Sequence, residues 1–214
     1  MSMLEAVEGQ REHETLMKED LHVTEIISLV SDFKRVKPFV KDMEKILQTG
    51  KEVHSLIEKE IETGHQQQVG AFDYKENYDE VANGYRGWQE WKKSLEGLKD
   101  MKSEVSIRKE GIVGTIDLIA QVNGKKTIVD IKTSNTTKLT RDYLLQVHAY
   151  HHLLGEDDVD MAILFLNKKT GGFTYSQIPF VSNLLKAFLS LYVAYKELRR
   201  LNLLNPEEIR NENS

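Results

Sequence analysis

No cysteine occurs among the 214 residues, and there are only three prolines and two tryptophans. Without thiols the chain has no disulfide, no cysteine-bound zinc, no iron–sulfur cluster and no cysteine nucleophile. Long apolar runs are missing too: no stretch approaches the roughly 18 apolar residues of a membrane-spanning helix, so none is expected. Nor is there an excess of positive charge. The net charge of −5 argues against a protein that coats nucleic acid indiscriminately, although the arrangement of charges sets a local field as much as their sum does. The first twenty residues are polar and acidic, with no basic or apolar segment and no Arg-rich amphipathic pattern, so neither a secretory signal nor a transit peptide is expected. Together these absences fit a cytoplasmic protein.

What remains, 40% apolar and 29% charged residues, suits one domain. The patterning places a polar tail at 1–20, a single domain at 21–205 and a second polar tail at 206–214. Within the domain, 21–100 reads as mainly helical, 104–178 as a sheet with a helix inserted, and 183–204 as a long amphipathic helix. Leu21–Ile27 is short and β-branched. Ser31 or Asp32 could cap a helix, though Pro38 limits how far it runs; a helical period covers 34–48, and Thr49-Gly50 interrupts it. A second helix follows from Lys51, with Val53, Leu56, Ile57 and Ile61 on one side, His54 and Glu58 four apart on another, and Gly64 as its stop. Residues 65–75 read as a loop. Val81, Tyr85, Trp88, Trp91 and Leu95 stripe a third helix over 78–98, as core residues would. Strands are expected at 104–107, 112–122, 127–132, 161–167 and 173–178, and a helix at 140–154 closed by Gly155. On that helix His148 and His151 read as surface residues. The whole is an α/β protein, a mixed central sheet flanked by helices.

Three charged residues sit where apolar ones belong. Asn123-Gly124 is a strong type I′ hairpin signal, because both positions require positive φ. Pairing across it sets opposite one another residues whose numbers sum to about 247, which brings Asp117 against Asp130. Lys132 shares a strand face with Asp130 by the period of two. Carboxylates facing each other repel unless a divalent cation lies between them, and hard oxygen donors at a partly open site suit Mg²⁺ or Mn²⁺. The alternative is a salt bridge of Lys132 with either aspartate.

Asp117 in GTID, Asp130-Ile131-Lys132 in IVDIKTS and Gln146…Tyr150 in QVHAY together resemble the PD-(D/E)xK nuclease superfamily, in particular its RecB-like exonuclease branch. Gly50-Lys51-Glu52-Val53-His54 is similar to that branch's G-x-x-x-H helix. Val23-Thr24-Glu25-Ile26-Ile27 is similar to a short segment of phage and mitochondrial-genome-maintenance members. The likeness covers about residues 21–178. It implies a restriction-endonuclease-like core and a metal held by His54, Asp117, Asp130 and the backbone carbonyl of Ile131, with Glu104 and Glu58 as further candidates. It also implies that Lys132 acts on the attacking water, that Gln146 and Tyr150 support Lys132 or hold the DNA backbone near the scissile phosphate, and that Thr133 and Ser134 contact phosphate. Lys138 and Arg141 are the first candidates for DNA contacts, followed by the basic groups Lys34, Arg35, Lys37 and Lys41 and then Lys92-Lys93.

The missing cysteines set the chain apart from the cluster-bearing members, and no phosphate-binding G-x-x-x-x-G-K-[ST] loop marks a helicase motor. The expected function is a divalent-metal-dependent DNA exonuclease acting on single strands or DNA ends in replication, repair or recombination. A partner helicase or a single-strand annealing or binding protein, and an oligomer, are compatible with it; a membrane partner is not expected. The alternatives are a non-catalytic DNA-binding or assembly subunit that keeps the nuclease fold, and an α/β domain whose acids only form ion pairs.

Overall fold

The computed structural model of the chain describes residues 20–31, 43–70 and 77–204. The basic group at 34–41 and both polar tails beyond Asp20 and Leu204 lie outside them. Strand β1 (Leu21–His22) passes directly into helix α1 (Val23–Ile27). The β-branched residues turn helical here because Glu25 accepts the His22 backbone N–H at 2.9 Å, half of a capping box. Helices α2 (Met43–Thr63) and α3 (Tyr78–Lys93) follow, then strands β2 (Lys99–Lys109), β3 (Ile112–Val122) and β4 (Lys125–Thr133). Helix α4 (Arg141–Leu154) leads to strands β5 (Asp160–Leu166) and β6 (Phe173–Ile178), and helix α5 (Ser182–Arg200) comes last. No helix among the described residues is long and apolar enough to cross a membrane.

The expected break at Thr49-Gly50 does not occur; α2 runs through it. Thr49 is buried and donates its hydroxyl hydrogen to the Lys45 carbonyl at 2.9 Å, one turn back. Gly50 serves close approach instead of a stop, since a Cβ there would lie 3.2 Å from the Thr133 hydroxyl oxygen at the end of β4. Asn123 and Gly124 have φ of 52° and 84°, as a type I′ turn demands, and Gly155 closes α4 at φ 70°.

The strands form one mixed sheet in the order β1-β3-β4-β5-β6, with β2 on the other side of β3. Helices cover both faces. Val53, Leu56 and Ile57 of α2 and Val81, Tyr85, Trp88 and Trp91 of α3 pack on one face, against Leu118, Ala120, Val129, Ile131 and Leu164. Ile26, Leu145, Ala149, Leu153 and Phe188 pack on the other, against Ile112, Ile116 and Ile128. The parallel β4–β5 pair needs a crossover, and α4 is that crossover.

Two irregularities make room for a site. The β3–β4 ladder keeps the expected sum of 247 from Val122↔Lys125 to Leu118↔Val129 and then ends. Beyond it the strands part, and β1 takes the vacated edge of β3 at Ile112 and Val113. At the same level the β2–β3 ladder skips one step, between Ser103↔Leu118 and Val105↔Ile116. The skipped pair is Glu104 and Asp117. Glu104 has φ 48°, rare for a residue with a Cβ, and alternation breaks there: Ile116 and Leu118, two apart, face opposite layers.

His148, expected at the surface, is fully buried. Its Nε2 accepts the Val181 N–H at 3.0 Å, so Nδ1 carries the ring hydrogen and donates to the Leu144 carbonyl at 2.7 Å. Burial pushes its pKa down, with His151 adding to the effect and the Leu144 hydrogen bond opposing it. The unfolded chain therefore takes up this proton first, and stability is complete above the ordinary imidazole pKa of about 6.5 and declines as pH falls from there through the lower folded value. In thermal melts from pH 7.5 to 5, the stability of the wild type relative to His148→Gln should show that decline. His151 and His152, also pushed down by burial, retain their share. An unchanged slope in the variant would refute the assignment.

Candidate active site

The parted end of β3 and β4 collects the charges. Asp117 does not face Asp130 across a ladder rung as the register suggests. The ladder has already ended, and Asp117 Oδ2 instead accepts the Ile131 backbone N–H at 2.7 Å, a donor that the missing rung leaves free. His54, one residue along α2 from fully buried Val53, reaches the same place. Its Nε2 lies 3.1 Å from the Ile131 carbonyl. A carbonyl can only accept, so Nε2 bears the hydrogen and Nδ1 is left facing Glu104 Oε1 at 3.7 Å and Asp117 Oδ1 at 3.8 Å. Burial alone would lower the His54 pKa; the neighbouring carboxylates of Glu104 and Asp117 outweigh it and raise it. The ring thus sits where positive charge is favoured.

His54, Glu104 and Asp117 offer donor atoms that all lie within 4.8 Å of one another, partly exposed. An imidazole whose other nitrogen is tied to a backbone carbonyl, beside two carboxylates, is a donor set that fits a divalent cation. Asp130 is outside this trio. Its carboxylate is fully buried on the α4 side of the sheet and pairs with Lys132, whose Nζ donates to Oδ1 at 3.0 Å and stands 2.9 Å from Oδ2. Beyond the Lys132 ammonium, no donor meets Oδ2 among the described residues, which leaves it a buried lone pair for a cation. Burial raises the Asp130 pKa to about 6, with Lys132 opposing that rise and Asp117 adding to it. Lys132 is held in its charged form by Asp130 and Asp117 against the effect of burial.

Helix α4 completes the arrangement. Lys132 donates to Gln146 Oε1 at 3.1 Å, and Gln146 Nε2 donates to the Tyr150 hydroxyl at 2.8 Å. Tyr150 lies across β3 where Gly114 leaves room; a Cβ on Gly114 would be 2.7 Å from the ring. Gln146 thus links Lys132 to Tyr150 in one hydrogen-bonded chain.

Two clefts flank these residues. The smaller, about 390 Å³, is lined by His54, Glu58 and Glu104 with Gly50, Lys51 and Ser55. The larger, about 910 Å³, runs past Lys132, Lys138, Arg141, Tyr143 and Gln146 to α1. Thr133 packs near Gly50, and Ser134 contacts Thr136, so neither hydroxyl stands in the trio. Lys92 is committed elsewhere, to buried Glu60, and Lys93 to Glu90. Glu104 is the residue that sequence left as a lesser candidate and the fold brings to the centre; its signal is the acid opposite Asp117 once β2 and β3 are set in register.

A sequence profile described as the PD-(D/E)XK nuclease superfamily matches residues 26–211. Among solved structures, the chain is similar to a candidate exonuclease from Eubacterium rectale, with 14% identity over 90% of this chain and 85% of that one and a TM-score of 0.51. It is also similar to LHK-Exo, an alkaline exonuclease from Laribacter hongkongensis in complex with dAMP, with 11% identity over 92% and 96% of the two chains and a TM-score of 0.49. At such identities the likeness is one of fold. No curated protein sequence matches.

Proposed function

Because this chain belongs to the PD-(D/E)XK nuclease superfamily, we propose that it is a divalent-metal-dependent deoxyribonuclease, an exonuclease using Mg²⁺ or Mn²⁺ on single strands or DNA ends in replication, repair or recombination. The observation that carries this reading is the meeting, where β3 and β4 part, of the His54–Glu104–Asp117 trio with the braced Asp130–Lys132 pair. His54, Asp117 and Asp130 would hold the ion, with Glu104 as a further ligand. Glu58, in the same cleft, remains a candidate for contact through water. The Ile131 carbonyl already accepts from His54 and has one lone pair left for the ion. When bound, the ion supplies positive charge to a phosphate oxygen and acidifies a water molecule. Lys132 orients that water and balances charge growing on the phosphate. Gln146 and Tyr150 keep its ammonium in place. Lys138 and Arg141, along the larger cleft, contact backbone phosphates, with Thr133 and Ser134 as further phosphate-binding hydroxyls.

End-labelled linear DNA, single- and double-stranded, beside a circle and with Mg²⁺ or Mn²⁺, tests the reading. Linear DNA should be shortened from an end while the circle stays intact, and Asp117→Asn should lower the rate about 10²–10³-fold. Cutting of the circle would make the enzyme an endonuclease. DNA binding without cleavage would favour the non-catalytic subunit. Independently, saturating Mn²⁺ at about 100 times its Kd should stabilise the wild type by about 2.7 kcal/mol, seen as a rise in Tm that Asp117→Asn removes. A Tm that Mn²⁺ does not move would leave the acids as ion pairs only.

A further inference from the structure

The ammonium of Lys132 has three hydrogens, and the motif accounts for only two of its neighbours. Asp130 takes one side and Gln146 another. On the third lies the ring of Tyr143, its centroid 5.1 Å from Nζ, inside the range over which an aromatic face attracts a cation. Tyr143 is set rigidly for this. It stands on the first turn of α4, where its backbone N–H is taken by the Thr140 cap at 3.4 Å. Its ring is tilted against buried Phe165 of β5, with centroids 6.2 Å apart and planes at 58°. It also borders the larger cleft together with Lys132 and Gln146.

We propose that Tyr143 is a positioning residue for the nuclease reaction, its ring face holding the Lys132 ammonium from the side that opens on the cleft. The proposal rests on the nuclease reading given above. A third carboxylate or carbonyl there would bind the last N–H strongly and compete with the substrate. A π face attracts the charge as a whole and claims no single N–H direction, so the ammonium stays in place beside the cleft and can turn a hydrogen toward a water or phosphate oxygen without losing the contact. The aromatic ring, and not the phenol hydroxyl, does this.

Tyr143→Leu removes the ring, and Tyr143→Phe keeps it. With linear DNA and Mn²⁺, the leucine variant should lose about tenfold in kcat with KM within about twofold and Tm little changed, and the phenylalanine variant should restore kcat to within about twofold. A spectroscopic measurement needs neither metal nor substrate. In the metal-free protein the ε-methylene protons of Lys132, identified by their absence in Lys132→Met, should resonate upfield through the ring current, keep that shift in Tyr143→Phe and lose it in Tyr143→Leu. Full kcat in the leucine variant, an equal loss in the phenylalanine variant, or an unshifted resonance in the wild type would each overturn the proposal. Complete inactivity of the wild type on every DNA would instead overturn the nuclease reading, and the Lys132 resonance separates that failure from failure of the ring contact.

Discussion

Replacing Lys132 by alanine should lower cleavage about 10²–10⁴-fold and should also destabilise the protein by about 3–5 kcal/mol. The second effect follows from where Asp130 lies. Its carboxylate is fully buried, and Lys132 is its charged partner at 2.9–3.0 Å. Removing one member of a buried pair strands the other, which costs far more than the pair contributes when intact. In a chain of this size each kcal/mol corresponds to roughly 2–4 °C, so Tm should fall by roughly 6–20 °C. The loss should depend on pH. Burial already raises Asp130 to about 6 against the opposition of Lys132, and without the lysine it must rise further. A carboxyl whose folded pKa lies above its unfolded value loses stability as pH rises through the folded pKa. The penalty should therefore be larger at pH 8 than at pH 5. The double variant Asp130→Asn/Lys132→Met, which takes away both charges, should recover most of the stability and none of the cleavage. A Lys132→Ala protein as stable as the wild type would show that water reaches Asp130, and the pair would then have no structural role.

Much of this site was legible because its parts obey local rules. The Asn123-Gly124 turn sets the hairpin register, and the period of two puts Asp130 and Lys132 on one face. A spacing of four aligns Gln146 with Tyr150, which the hydrogen bond between them matches. What escaped depends on departures from those rules. Extrapolating the register by one more rung sets Asp117 against Asp130, yet the strands part at that rung and β1, far off in sequence, takes up the edge. Glu104 at φ 48° is invisible to any pattern of alternation, since it is where alternation stops. Gly50 reads as a helix breaker by propensity, and only the neighbouring Thr133 reveals it as a packing residue. Buried polar residues form a further group. His148 follows Leu144 and Leu145 at spacings of four and three, on the stripe of its helix, and Glu60 follows Val53, Leu56 and Ile57 at seven, four and three. The spacing marks both as inward-facing, and polarity alone argued otherwise.

Glu60 is where that inward spacing has its largest consequence. On α2 it is buried, and four donors from α3 converge on it: the Tyr85 hydroxyl at 2.7 Å, Trp88 Nε1 at 2.9 Å, Gln89 Nε2 at 2.5 Å, and Lys92. Burial alone would raise its pKa, but Lys92 and the hydrogen bonds from Tyr85 and Trp88 outweigh that and lower it. Tyr85 also accepts the Gln67 N–H at 2.8 Å, which ties the segment after α2 to the same cluster. Glu60→Ala orphans three donors in or beside the core and leaves Lys92 to swing outward, since its side chain is partly exposed. Each buried donor left unpaired costs about 1–3 kcal/mol, and relaxation of Lys92 offsets part of the sum. The expected loss is about 3–5 kcal/mol, or roughly 6–20 °C in Tm. Glu60→Gln should lose less, because the amide keeps one oxygen to accept from Tyr85, Trp88 and Gln89, and only its NH₂ is turned toward Lys92, which cannot accept. Glu60 borders neither cleft, so cleavage measured well below the lowered Tm should stay within about twofold of wild type. Denaturant melts with rate assays at 20 °C separate the outcomes. A loss under 1 kcal/mol would mean that water satisfies the donors and the cluster is not a core element. Lost cleavage at full stability would mean that the α2–α3 contact, through His54, sets the geometry of the site itself.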